Sequence, residues 1–262
     1  RPRTSQPTPA PELTAMAIHR EKYTHYDGPL RETGGWWVVA AQTVKRMVGL
    51  LRTKIIIPVL WIVPLIAAVA IVAEYGIRGE VQGFQAPTGY AVVQFLQVQF
   101  YALAVLYMAS APGVVSDDLH YNVLELYESK PIERWEYTLG KFLGLVGIGS
   151  LITVGPAIGV GVLRVALLSQ HGFASAVAVQ VARGVGLSVV MTALLAIVVV
   201  GLSSTTDRSG FAVLALLGLL FVPPIVAMMV GLSVDNADLP WLIDLRANLR
   251  MVGDIAIVGE DR

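Results

Sequence analysis

The chain contains no cysteine, which excludes disulfides and thiolate metal sites and says nothing about compartment. Histidine is scarce: the four present, at positions 19, 25, 120 and 171, are too scattered for a haem or zinc site. No G-x-x-x-x-G-K-[ST] loop and no G-x-S-x-G elbow occurs. Nucleotide phosphates therefore find no such cradle, and a hydrolase of that type no nucleophile. Charge is the third shortage, with 15% charged residues against 55% hydrophobic. A soluble domain of 262 residues would struggle to keep that balance from water.

What is present is long uncharged sequence. Between consecutive charged residues lie Ile55–Ala73, Val81–Ser116, Phe142–Leu163, Val165–Ala182, Gly184–Thr206 and Ser209–Val234. About 20 helical residues cross the hydrocarbon core, so each run is near or above spanning length. Lipid offers backbone N–H and C=O groups no partner, and the runs lack the period-2 alternation of a membrane barrel. The expected fold is an all-α polytopic membrane protein with five spans, at about 55–75, 90–113, 142–165, 177–201 and 210–232. Arg183, inside the fourth span, and Arg164, at the end of the third, are expected to snorkel to the headgroups.

Lys45, Arg46, Arg52 and Lys54 precede the first span, whereas the loop after it holds only Arg78. The positive-inside rule then places the N-terminus in the cytoplasm of a plasma (inner) membrane protein. Alternation puts 117–141 and 203–209 inside, and 74–89, 169–172 and everything after Ser233 outside. The domain plan is a cytoplasmic extension at 1–33, an interface helix at 34–53, a transmembrane domain at 54–232 and an extracytoplasmic segment at 233–262. The odd span count and the start at Arg1 lead to the expectation of a sixth span missing from this chain.

In 34–53, Trp37, Ala41, Val44, Val48 and Leu51 share one side and Gln42, Lys45, Arg46, Gly49 and Arg52 another. This reads as an amphipathic helix lying on anionic lipid, with a solvated extension of the first span as the alternative. The stretch 116–141 carries nine charged residues in 26 positions. Leu119, Val123 and Leu126 give 117–128 one apolar stripe, Asp117 and Asp118 fall in its first turn, and Ser129-Lys130-Pro131 breaks it. A second helix over 131–140 then leads, by Trp135 and Tyr137, to Lys141 at the mouth of the third span. Such an elbow exceeds what a connection needs. Its stripe favours a docking role over a loop whose charges merely keep it out of lipid.

The stretch "VVSDDLHYNVLELYESKPIERWEYTLGKFLG", Val114–Gly144, resembles the cytoplasmic elbow of permease subunits of ABC-2-type transporters. The resemblance rests on Asp117 and Asp118, on Leu124-Glu125-Leu126, on Ser129-Lys130-Pro131, on Arg134 with Trp135 or Tyr137, and on Gly140-Lys141. "YDGPLRETGGWWVVA", Tyr26–Ala40, resembles the lead-in of some members. The resemblance implies a six-span permease half, exporter-type, whose elbow inserts into a cytosolic ABC ATPase and pairs with a second permease copy or a homologous permease. The implied coupling residues are Asp117, Asp118, Leu124, Glu125, Leu126, Tyr127, Lys130, Pro131 and Arg134. ATP and Mg would be held by the partner ATPase, and this chain needs no cofactor or metal of its own. A periplasmic accessory protein is compatible with the reading; nucleic acid is not an expected partner.

Gln94 and Gln97, on one face early in span two, are candidates for the translocation path, or for the outer interface. Gly155-Pro156 and Pro223-Pro224 predict kinks, and Gly140/Gly144 and Gly155/Gly159 have helix-packing spacing. An intramembrane enzyme is disfavoured because the spans hold no carboxylate pair, His cluster or serine motif. A non-transporting membrane anchor or mechanotransmitting subunit shares the topology and stays as the alternative function.

Overall fold

A computed structural model describes residues 34–73, 89–123, 132–169, 172, 174–233 and 244–259. The described residues form helices α1 (Gly35–Gly49), α2 (Leu51–Ala73), α3 (Tyr90–Ser110), α4 (Gly113–His120), α5 (Arg134–Ile152), α6 (Val154–Ser169), α7 (Ala174–Ser204), α8 (Ser209–Ser233) and α9 (Leu245–Gly253), and a π-helical turn at Asp254–Val258. Five stretches are long and apolar enough to cross a membrane: Leu51–Ala73, Ala91–His120, Arg134–Ser169, Ala174–Ser204 and Ser209–Val230. The chain is an all-α, multi-pass membrane protein.

The core joins α3, α5 and α7 through Leu103, Leu106, Tyr107, Leu145, Ile148, Met191 and Leu195. The Tyr107 hydroxyl donates to the Leu145 carbonyl at 2.9 Å, so its polar tip is satisfied inside the core. Only 6% of the α2 span and 11% of the α8 span is buried, against 50% for Ala91–His120. Those two helices present most of their apolar surface outward, to lipid or to a partner.

The third span is two helices. Pro156 has no N–H to give the Ile152 carbonyl, and the path breaks at Thr153. Gln99 Nε2 donates to the Thr153 carbonyl at 3.0 Å, and the Thr153 and Thr192 hydroxyls meet at 2.7 Å. Polar side chains from two neighbouring helices thus occupy the break, as an apolar solvent requires. By contrast α8 runs through Pro223 and Pro224 without interruption.

The expectation that Arg164 snorkels to the headgroups is corrected. Arg164 is 3% exposed between helices and does not reach outward. Arg183 donates to the Ala256 carbonyl at 2.8 Å, holding the π-helical turn. Gly140 and Gly144 do pack closely, whereas a side chain at Gly159 would meet nothing within 4 Å. The described part of 233–262 forms α9 and the π-helical turn. It lies along the first half of α3, with Arg246 hydrogen-bonded to the Tyr101 hydroxyl and Ile257 packed against Val93 and Leu96.

Candidate coupling site

Helix α4 is placed by a cap from another span. Pro112 gives it no side-chain acceptor, and the buried N–H groups of Val115 and Ser116 both donate to Ser203 Oγ at 3.0 Å. The same hydroxyl donates to the Pro112 carbonyl at 2.7 Å. One side chain near the C-terminus of α7 therefore satisfies three backbone groups at the α3–α4 bend.

Because α4 starts at Gly113, Asp117 and Asp118 fall in its second half, not in a first turn. There the helix dipole opposes negative charge. Side chains from two other helices offset this. Asp118, 6% exposed, accepts from the Tyr137 hydroxyl at 2.8 Å and meets Lys141 Nζ at 2.6 Å through Oδ2. Its Oδ1 lies 3.3 Å from Arg46, whose other terminal nitrogen is 2.5 Å from Asp117. The cluster ties α4 to α1 and α5 in one place.

The helix that supplies Tyr137 and Lys141 begins three residues later than Pro131 suggests. Glu133 and Glu136 form a reciprocal capping box, and α5 runs from Arg134 past Lys141 without a stop. The second arm of the elbow is thus the opening of span three itself. Lys141 stands two turns inside it, buried.

Helix α1 lies along α5. Its buried face is Val39, Ala40, Thr43 and Met47, while Trp37, Val48 and Leu51 of the expected apolar stripe are exposed. A Cβ at Gly140 would stand 2.6 Å from the Trp36 carbonyl oxygen, and one at Gly144 2.7 Å from Thr43 Cβ. These two glycines let the backbones close up. The result brings Arg46 to the aspartates. Helix α1 accordingly has two apolar sides, one spent on α5 and one left outward.

Of the expected coupling residues, Asp117 and Asp118 are brought together with Arg46, Tyr137 and Lys141. Arg134 is exposed at the start of α5, and Leu124, Glu125, Leu126, Tyr127, Lys130 and Pro131 lie outside the described residues. Leu119 of the expected docking stripe packs against the core instead. Gln94 and Gln97 part company: Gln94 lines a cavity between α2, α3, α6 and α7, and Gln97 lies beside Arg246 and Arg250 of α9. Gln99, on the same helix, is buried and donates to the Thr153 carbonyl at the break in span three. Ser203 carried no sequence signal, because its role is defined only by contact with residues some 90 positions earlier.

No protein-family model matches the chain, and neither does any curated protein.

Proposed function

We propose that the chain is the permease subunit of an ABC transporter, exporter-type, driven by a separate cytosolic ATPase that grips the 116–141 elbow. The observation that supports this reading best is the buried Asp118 cluster. A force applied to residues beyond His120 would reach Asp118 within one turn, and from there Lys141 of span three and Arg46 of the interface helix. Coupling over distance needs such a contiguous, stiff connection. The cluster's end of the bundle is then cytoplasmic, in keeping with Lys45, Arg46, Arg52 and Lys54 nearby. The open faces of α2 and α8 suit a second permease and lipid.

The test is affinity purification of the tagged chain from its native membrane with identification of the subunits that accompany it. An ABC ATPase is expected in the parent and lost in Leu124→Asp or Glu125→Arg variants that insert normally. An ATPase retained by both variants overturns docking at the elbow.

A further inference from the structure

A second cavity, of about 240 Å³, lies at the Asp118 end of the bundle, where α1, α2, the α3–α4 bend, α5 and α8 meet. It falls below the ~300–1,000 Å³ that drug-sized ligands occupy, so it suits a headgroup better than a whole nucleotide. Arg46, Arg52, Asp117, Lys141, Ser209 and Gly210 are among its lining residues. Arg46 meets both aspartates and Lys141 meets Asp118, so two basic groups face two acids. Arg52 is left over. Among the described residues it has neither an ion-pair nor a hydrogen-bond partner.

The α8 side of the wall adds donors. Phe211 and Ala212 donate to the Arg208 carbonyl, whereas the N–H groups of Ser209 and Gly210 have no acceptor among the described residues. They carry the positive end of a 25-residue helix. A side chain at Gly210 would meet nothing within 4 Å, so the backbone there is open to a ligand. A guanidinium stays protonated and holds phosphate oxygens in a two-point contact, and helix N-termini favour the same group. Asp117 opposes an anion, but Arg46 already meets its carboxylate at 2.5 Å.

The place of the cavity in the fold selects the source of the phosphate. Arg52 is the second residue of one span and Ser209 the first of another, so the cavity sits at headgroup level. Apolar surface begins beside it, since Leu51 and Ile55 on α2 and Phe211 and Leu214 on α8 are all exposed. We infer that this cavity binds the phosphate of an anionic phospholipid at Arg52 and the α8 N-terminus, with the acyl chains along the open faces of α2 and α8. The inference does not rest on the transporter reading, and its test needs no ATPase.

The full chain is purified in a neutral detergent and exposed to equal amounts of phosphatidylglycerol and phosphatidylcholine with the same acyl chains, and bound lipid is read by native mass spectrometry. The parent is expected to retain phosphatidylglycerol at about a tenfold preference, the worth of a charge-assisted contact. Arg52→Gln, at an exposed position with no contact to lose within the described residues, should abolish that preference. Gly210→Asp should do the same while favouring the helix, because its carboxylate occupies the α8 N-terminus in place of the phosphate. Lys54→Gln, exposed two residues further along α2, should leave the preference unchanged. A preference that survives both Arg52→Gln and Gly210→Asp overturns the inference, as does one lost equally in Lys54→Gln, which would mean juxtamembrane charge acting at large. Displacement of phosphatidylglycerol by an equimolar amount of inorganic phosphate also overturns it and assigns the cavity to a free anion.

Discussion

Asp118→Asn takes the negative charge from a buried carboxylate and leaves its donors in place. Lys141, itself 5% exposed, then loses the counter-ion it touches at 2.6 Å. Breaking a buried pair in this way costs about 3–5 kcal/mol, because the group left behind stays buried without its partner. Arg46 adds less, since its side chain is 44% exposed and water screens it. Replacing the whole group by apolar residues, as Asp118→Leu with Lys141→Met and Tyr137→Phe, removes the desolvated charges together. That triple variant is expected within about 1.5 kcal/mol of the parent. Reversible unfolding of the purified chain by dodecyl sulfate in mixed micelles, followed by circular dichroism, measures both. A single variant that loses less than about 1 kcal/mol, or a triple variant that loses as much as the single, refutes the assignment of Asp118 and Lys141 as a mutually dependent buried pair.

Ser203→Ala strands the N–H groups of Val115 and Ser116 and should cost about 1–3 kcal/mol in the same unfolding assay. Gly140→Leu drives a side chain into the Trp36 carbonyl and Val39, so α1 should lift from α5 at a cost of about 1–3 kcal/mol. The check is maleimide labelling of Thr43→Cys, buried in the parent and expected to react faster in the variant; the absence of native cysteine keeps the background clean. Orientation is read from intact cells with a membrane-impermeant maleimide. Ser169→Cys should label directly and Asp207→Cys only after permeabilisation, and the opposite pattern places the Asp118 cluster out of reach of a cytosolic ATPase.

The five spans were legible because run length is a one-dimensional property, and charged residues punctuate the runs. Their ends were less so. Span three extends back to Arg134 because Lys141 finds an acid in the fold and Glu133 and Glu136 cap the helix, so polarity there does not stop it. The same limit hid the site. Asp118 drew notice as half of an acidic pair, yet its partners lie 72, 19 and 23 positions away on two other helices, where no periodicity connects them. The amphipathic reading of α1 found one of its two apolar sides; the other was encoded jointly with Gly140 and Gly144, noted only as packing residues. Gln94 and Gln97 share a face on a helical wheel, but α9 covers one and not the other.

Span three, like α7, reaches both ends of the bundle, with Lys141 in the Asp118 cluster and Arg164 in the wall of the cavity that Gln94 also lines. On the proposed reading, a displacement of the elbow arrives at the cavity only as faithfully as the Thr153–Pro156 break transmits it. The break has a local cause in Pro156, whose ring both removes the bond to the Ile152 carbonyl and crowds it. Pro156→Ala supplies the missing N–H and should straighten the path. Spin labels at Thr138→Cys and Ser169→Cys, both exposed positions, report this directly. An unbroken helix would set their Cα atoms about 46 Å apart, and a bent one less. The parent is expected below that separation and Pro156→Ala closer to it. An unchanged distance distribution would mean that Gln99 and Thr192, gripping Thr153 from outside, set the bend without the proline.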